Sequence, residues 1–510
     1  MLQVPENDIE RPPLRMSTST LCDAENGDGT YVFTRQQTVA AEDTPAHSKE
    51  AITSDISLTA VSTPHAAKLD AVSPPATRKR KVRKFNKWMA FKLWFNTYRR
   101  LWTFVVIFNI VGLVLAATSV WHYPRRYTGA FVLGNLLASV AVRNELLGRA
   151  LYLIVNTLFA KWTPLWFRLG CTSFLQHLGG IHSGCGVSGL GWLVFRIVLI
   201  ATDVRNMHGA VVVMGGVTSL AIATTILAAL PWIRNTYHNM FEWHHRFVGW
   251  FALISTWVFV ILGDSYNIDE QRWDADSTIV KQQTFFFCLG MTFFIIFPWT
   301  VTRKVAVEVE IPSSKVAILK FKRGMQQGML ARISRGPISE YHAFGIISEG
   351  THTDAHYLVC GVQGDFTRGL VENPPTHVWT RELKVTALSN TSKLYKRGIR
   401  IVTGTAIGAA LATCIQSKDW YLIWVGSDQQ KTFGPSINKM IADHVEPERR
   451  TLWDSKERGG RPDLMKLLTE TYDSWGAEVV FITSNWTGNK TMMEGCKSEG
   501  IPAFGTLWDF

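Results

Sequence analysis

The chain has 510 residues, 47% of them hydrophobic and 18% charged, with 20 Trp, 28 Phe and a net charge of +12. An average soluble chain is about one quarter charged, so this composition excludes a purely soluble fold, and with it secreted, collagenous and wholly disordered chains. Seven Cys are scattered without a Cys-x-x-Cys pair, which argues against a disulfide framework or a zinc site.

Residues 1–77 are rich in Ser, Thr, Pro, Ala and acidic residues and show no apolar periodicity. Such a segment buries too little surface to offset the entropy of ordering, and is expected to be a disordered tail. Its start lacks a basic stretch followed by an apolar one, so it does not read as a signal peptide. Then come Arg78, Lys79, Arg80, Lys81, Arg83, Lys84 and Lys87, interleaved with Phe85, Trp88 and Phe91. A run of this kind serves nucleic acid or nuclear import in some chains. Here an apolar segment follows directly, so it reads as a cytosolic anchor beside a membrane span, with no nucleic-acid partner.

Apolar blocks near 101–121, 127–143, 175–202, 209–232, 246–263 and 283–302 approach the roughly 20 residues a helix needs to cross the hydrocarbon core. The second is short, and the amphipathic stretch 144–174 is expected at the interface, with a seventh span near 150–160 as the alternative. Lys and Arg fall in 78–100, 143–168, 234–246 and 303–304, whereas Asp264, Asp269, Glu270, Asp274 and Asp276 cluster in one loop. This asymmetry puts the basic segments and both termini in the cytosol and the acidic loop outside. Arg125 and Arg126 run against it. The expectation is an integral, multi-pass protein of the lipid bilayer, by default the plasma membrane.

After Arg303 the pattern changes. VAVEVEI and KVAILKF alternate with period two, and EYHAFGIIS and HYLVCGV are short β-like runs. They predict a small antiparallel barrel over 305–393. From 394 on, IRIVTG, WYLIWVG and AEVVFIT alternate with helix-like segments, which predicts a parallel α/β sheet to residue 510. The fold class is thus a polytopic helical membrane domain over 78–304, a barrel and an α/β domain.

Gly404, Thr405 and Gly408 in GTAIG follow a strand, where glycine permits close backbone approach and a helix N-terminus offers amides to a pyrophosphate. Ordinary strand–helix packing is the bland alternative. In the barrel, His342, Phe344 and Ser348 of HAFGIIS combine an aromatic with polar groups suited to a flat heterocycle. Gly364, Asp365, Thr367 and Arg368 of GDFTRGL form a turn able to hold phosphate.

Taken in order, these features resemble the ferric reductase and NADPH oxidase superfamily over residues 98–510. GGIHSG, FEWHHRFVGW and FGTLWDF are similar to its divergent fungal, TmpA-like membrane flavoproteins. The resemblance implies that the barrel binds FAD and that the α/β domain binds NADPH or NADH. The family's His-Pro-Phe-Thr/Ser appears as His342-Ala343-Phe344-Gly345, and its Gly-Asp-Trp-Thr as Gly364-Asp365-Phe366-Thr367. GGRPDL puts Arg461 near the nucleotide, and Phe510 stands where relatives cover the flavin ring. The family's Cys-Gly-Pro is replaced by Ser484-Asn485-Trp486, leaving Ser484 as a partial stand-in near the nicotinamide. Ser427-Asp428-Gln429 replaces the Arg that meets a 2′-phosphate, which leaves NADPH against NADH open.

Relatives stack two haems between helices that each carry two His 13 or 14 residues apart, a rise of roughly 20 Å. Here His182 and His244 or His245 are the candidate ligands, with His177 and His208 off position. The positions 13 or 14 further on are Phe195, Arg196, Trp257 and Val258, so at most one inner haem is expected. A His inside a membrane helix marks function by default, and a hydrogen bond between helices is its structural alternative. The expected function is a membrane flavoprotein oxidoreductase passing electrons from NAD(P)H through FAD to an inner haem or a lipophilic metabolite. The competing class is a non-catalytic or weakly catalytic redox sensor in fungal development or secondary metabolism. The sequons at Asn390, Asn485 and Asn489 all fall in the expected cytosolic part, so a glycan on any of them would overturn the topology.

Overall fold

A computed structural model describes residues 83–203, 205–274 and 279–507. The expected tail over 1–77 and the terminal Phe510 lie outside the described residues.

The first part is helical: α1 (Lys87–Trp94), α2 (Thr97–Ala117), α3 (His122–Arg126), α4 (Thr128–Ala141), α5 (Glu145–Leu158), α6 (Leu165–Gln176), α7 (Gly179–Thr202), α8 (Gly209–Ala228), α9 (Pro231–Thr236), α10 (His238–Ser265) and α11 (Gln283–Thr300). A two-strand ribbon, β1 (Tyr266–Asn267) with β2 (Arg272–Trp273), follows α10. Side-chain caps set several starts. Asn96 accepts from Arg99 N–H at 3.2 Å and Asn144 from Leu146 N–H at 2.8 Å, meeting donors that have no intrahelical partner.

By length and composition α2, α7, α8, α10 and α11 qualify as membrane spans. The short block at 127–143 is α4, and α5 turns away from it by 72°, so the pair counts as a sixth candidate only as a broken span. Glycines bring the helices together. A Cβ at Gly180 would lie 2.3 Å from Tyr98 O, and one at Gly189 would lie 3.0 Å from Leu136, so α7 packs closely between α2 and α4.

The amphipathic stretch 144–174 is the joint between the parts. Arg168 of α6 bonds Glu478 at 2.7 and 3.0 Å, Thr172 meets Tyr395 Oη at 2.7 Å, and Asn156 donates to Asn390 Oδ1 at 2.8 Å. Its apolar residues Val155, Leu165 and Leu169 join the core of the α/β domain. The amphipathic face therefore covers protein rather than lying free at an interface.

The barrel strands are β3 (Thr302–Ala306), β4 (Glu308–Ser313), β5 (Val316–Lys322), β6 (Met329–Ser334), β7 (His342–Ile347), β8 (Ala355–Gly361), β9 (His377–Arg381) and β10 (Val385–Thr386). They pair antiparallel in the order β3-β9-β6-β7-β8-β5-β4, with β10 on β6, and α12 (Asp365–Glu372) sits between β8 and β9. Ala317, Leu319, Ile333 and Leu358 fill the interior. The expected barrel is present, beginning three residues earlier than the alternation suggested.

The last part is a five-stranded parallel sheet of β11 (Gly398–Thr403), β12 (Trp420–Gly426), β13 (Arg450–Asp454), β14 (Val479–Thr483) and β15 (Ala503–Phe504), ordered β13-β12-β11-β14-β15. Its helices are α13 (Leu411–Gln416), α14 (Gln429–His444), α15 (Leu464–Trp475) and α16 (Trp486–Glu499). The order reverses between β11 and β14. Ligands of open parallel sheets bind at that point, beyond the carboxyl ends of the strands.

Candidate cofactor and nucleotide sites

The pleat of β7 sends alternate side chains to opposite faces. His342 and Phe344 share one face at the barrel rim, where Phe366 of α12 stacks on the imidazole at 4.1 Å between ring centres. Phe344 lies 6.4 Å from Phe366 in a near-parallel arrangement. His342 Nε2 is buried without a hydrogen-bond partner. Burial holds this imidazole below its usual pKa, so the ring is neutral near pH 7. The loop ahead of His342 is tied to α10, because Arg246 donates to Ile338 O at 2.7 Å and Ser339 O at 2.9 Å.

The opposite face of β7 meets the α/β domain. A Cβ at Gly345 would stand 2.4 Å from Gly408 O and 2.5 Å from Ala409 Cα, so only glycine fits. The Thr or Ser that the sequence resemblance would lead one to expect at this place has no room here. Gly361 of β8 likewise abuts Thr405.

Two predicted phosphate and ring contacts have other duties. Ser348 is 1% exposed; its hydroxyl accepts from Met325 N–H at 2.9 Å and donates to Gly350 O at 3.0 Å, fixing a turn. Thr367 Oγ1 accepts from Gln363 N–H at 2.9 Å and Gly364 N–H at 3.2 Å, closing the start of α12. The first intrahelical bond of α12 runs from Arg368 N–H to Gly364 O at 2.9 Å, so the amides of residues 365–367 precede the helical ladder. Arg368, paired with Asp365 at 3.3 Å, is exposed beside them, and nothing crowds a Cβ at Gly364. Phosphate binding here would use backbone and Arg368, not the Thr367 hydroxyl.

At the switch point Gly404 and Gly408 bracket the turn between β11 and the helix that follows, as the sequence suggests, but the helix is short. Gly404 has φ +54° and opens a 3-10 turn over Gly404–Ala409, and α13 starts only at Leu411 and spans six residues. A helix this short and this displaced offers little dipole to an anion. The turn is instead braced from inside: Arg400, 1% exposed, donates to Ala409 O at 2.6 Å, and Trp424 Nε1 donates to Gly404 O at 3.0 Å. A Cβ at Gly408 would stand 3.3 Å from Val359 Cβ, so Gly408 belongs to the seam with the barrel. A pair not visible in the sequence stands across the switch point, where Thr403 Oγ1 and Ser484 Oγ lie 2.8 Å apart at the ends of β11 and β14.

Further along this edge, Asp454 accepts from the amides of Asp428, Gln429 and Lys456 at 2.9, 2.6 and 2.9 Å. Burial alone would raise its pKa, but these amides hold it below the usual carboxylate value. Asp428 is left-handed, at φ +54°, and its carboxylate is taken by Lys456 at 2.7 Å. Arg461 is exposed in the loop after β13.

In the helical part, His182 and His245 face each other across α7 and α10, ring centres 6.3 Å apart. His182 Nδ1 bonds Ser139 O at 2.8 Å, which fixes its tautomer and leaves Nε2 with its lone pair. His245 Nδ1 and His244 Nε2 are buried without partners. Among the described residues no cluster of three or more His, Cys, Asp or Glu could hold a bare metal ion. A haem would bring its own four nitrogens and would be held by two imidazoles, and His182 and His245 are a facing pair. Toward the far end of these helices, a cavity of about 40 Å³ is lined by Arg196, Thr218, Phe259 and Asp264. That is room for one or two waters.

A family model described as adenylate-forming reductase 03009, C-terminal domain, matches residues 388–510. Two curated proteins of Coprinopsis cinerea are similar to most of the chain. Adenylate-forming reductase 03009 is 31% identical over 434 residues, and adenylate-forming reductase 06235 is 30% identical over 422. Each alignment covers 81% of this chain and 40% of the relative, so the chain spans about 40% of the length of these relatives. Among solved structures, flavohemoglobin from Malassezia yamatoensis shares 11% identity at a TM-score of 0.35, over 75% of this chain and 99% of that one. Phthalate dioxygenase reductase shares 9% at 0.32, over 40% and 68%. Scores this low carry no argument about fold or function.

Proposed function

We propose that the chain is a membrane-bound reductase that uses NAD(P)H and FAD, with one haem held by His182 and His245. The observation that carries this reading is the position of β7. Through Gly345 it abuts the nucleotide-edge turn, and through the loop bonded by Arg246 it is tied to α10, the helix of His245. The rim and its neighbours on both sides therefore form one continuous structure. The names of the two fungal relatives, both reductases, agree with it.

FAD, when bound, accepts hydride from a nicotinamide and releases its electrons singly. Phe344 would pack on the flat ring, and the neutral His342 imidazole supplies one unused hydrogen-bonding nitrogen beside it. The leading amides of α12 and the Arg368 guanidinium would meet the diphosphate. Gly404 keeps a side chain away from the nicotinamide nucleotide, and Thr403 and Ser484 offer it hydroxyls at the switch point. Asp428 suits a free ribose hydroxyl while Lys456 beside it suits a 2′-phosphate, so NADH and NADPH both remain open. Ser139 holds His182 in the tautomer that leaves Nε2 for a metal. The acceptor is this haem or a lipophilic metabolite.

Detergent-purified full chain should carry about one flavin and no more than one haem, and should oxidise NAD(P)H with an artificial acceptor. Phe344→Ala should lower retained flavin severalfold, and His182→Ala should abolish the haem band. Flavin absent from the wild type removes the FAD assignment, and two haems per chain remove the assignment of a single haem to His182 and His245. The closed seam at Gly345 favours a second reading, a redox sensor that binds flavin without turnover. Flavin retention with no NAD(P)H oxidation selects it.

A further inference from the structure

The basic segment that precedes the first span is unused by the proposed chemistry. In sequence, no Asp or Glu occurs from residue 71 to 144, while 78–100 holds Arg78, Lys79, Arg80, Lys81, Arg83, Lys84, Lys87, Lys92, Arg99 and Arg100. Among its described residues, 83–100, the first helix is α1, started by Asn86, whose side chain accepts from Met89 N–H at 2.9 Å. Met89, 8% exposed, faces inward, and α1 packs on α16 of the α/β domain, where Arg83 N–H bonds Ser498 O at 3.1 Å.

The outward face of α1 is aromatic. Trp88, Phe91 and Trp94 are 60%, 44% and 57% exposed, and their rings run in contact at 5.5 and 6.0 Å. Cations flank this row, with Lys92 over Trp88 at 5.0 Å and Arg99 over Trp94 at 4.8 Å. Burial lowers the Lys497 pKa on α16, and Lys92 and Arg100 lower it further, so positive charge accumulates where α1 meets α16. Aromatics beside Lys and Arg suit the boundary between headgroups and acyl chains. The next helix, α2, begins at Thr97 and is apolar enough to be a span.

We infer that α1 is an interfacial helix that docks on a leaflet of anionic phospholipid and, through its contact with α16, holds the α/β domain against that leaflet. Charge and chain continuity select this occupant, because the aromatic row ends three residues before a candidate span. The consequence reaches the nucleotide edge. α16 begins directly after Ser484 and Asn485, and its Asn489 grips the tail through Thr506 N–H at 2.9 Å and Thr506 O at 3.1 Å. The inference rests on the membrane reading but not on any cofactor.

The test is amide exchange of residues 83–100 in the full chain, reconstituted in nanodiscs of phosphatidylcholine alone or with about one third phosphatidylserine. Exchange should slow roughly three- to tenfold with the anionic lipid. Lys87→Gln with Lys92→Gln, both on the surface, should remove most of that difference while exchange in α7 stays unchanged. Exchange that is equal in the two lipids overturns the inference and leaves the membrane reading standing. A chain that enters neither nanodisc overturns both. Protection by double-stranded DNA in detergent, with none by anionic lipid, would assign the same cations to nucleic acid and likewise overturn it.

Discussion

Toward the helical part the barrel meets its neighbour through charge, whereas toward the α/β domain it meets bare backbone. On the first flank Glu145, only 5% exposed, accepts from Arg332 at 2.6 Å and also from Arg381. On the second, Gly345 lies against Gly408 and Ala409, and residues of both domains share one apolar core that includes Ile318, Ile347, Val402 and Trp424. The charged flank is specific in angle, since a carboxylate between two guanidiniums tolerates little sliding. The backbone flank is specific in distance, since no atom can be inserted. One flank thus fixes orientation and the other separation, and the His342–Phe344 rim lies between them.

The largest expected effect breaks the charged flank. Glu145→Gln leaves two guanidiniums against one neutral amide, with the Arg381 side chain 12% and that of Arg332 33% exposed. Loss of one partner from a buried pair typically costs about 3–5 kcal/mol, and Arg332 and Arg381 both lose theirs. Thermal unfolding in detergent should show a lower midpoint, with the rim loosened. A midpoint within a degree of wild type would mean that water already solvates this junction.

Between the flanks, pH reads the barrel itself. His356 is 3% exposed, stacks on Phe321 at 5.0 Å, and bonds Arg323 O through Nδ1 at 2.6 Å. Burial lowers its pKa from 6.5 to about 4, outweighing that bond. The folded state disfavours the proton, so the stabilisation is full above the unfolded value near 6.5. It is lost as pH falls from there toward about 4. The whole window is worth up to about 3 kcal/mol. His356→Gln should flatten the dependence of unfolding on pH between those limits, and an unchanged slope would assign it to other groups.

Much of this architecture was legible because it rests on period. Continuous apolar blocks gave the long apolar helices, VAVEVEI gave an antiparallel edge and IRIVTG gave a buried parallel strand, each a local signal. The site was less legible because its contacts are distant in sequence. Thr403 and Ser484 are 81 residues apart, and neither has a flanking motif that announces the other. Glu145 sits in a stretch that reads as an interfacial helix, and only the fold brings Arg332 and Arg381 to it. The turn bracketed by Gly404 and Gly408 was legible, but its close approach to the barrel was not, because a Cβ at Gly345 of β7 meets Gly408 O only once the two domains are packed. The Ser348 and Thr367 hydroxyls read in sequence as ligand groups, but each satisfies nearby backbone. That competition is general for Ser and Thr at turns.

The smallest effect sharpens the other flank. Gly345→Ala adds one carbon at 2.4 Å from a carbonyl oxygen and 2.5 Å from a Cα, both backbone atoms of the facing turn. Backbone cannot rotate aside as a side chain can, so β7 and the turn must separate by about 1 Å to reach ordinary contact. Overpacking of this kind costs about 1–3 kcal/mol, and here the strain falls on the domain seam. Gly361→Ala is the matched control. Its Cβ would meet the Thr405 side chain at 2.6 Å, so trimming Thr405 to Gly in the same chain should relieve it. No trimming relieves Gly345→Ala, because Gly408 has nothing left to remove. The measurement is the unfolding midpoint of the two single variants and of the rescued double. If Gly345→Ala proves neutral, the seam opens in solution, and a Thr or Ser would then fit at this position after all.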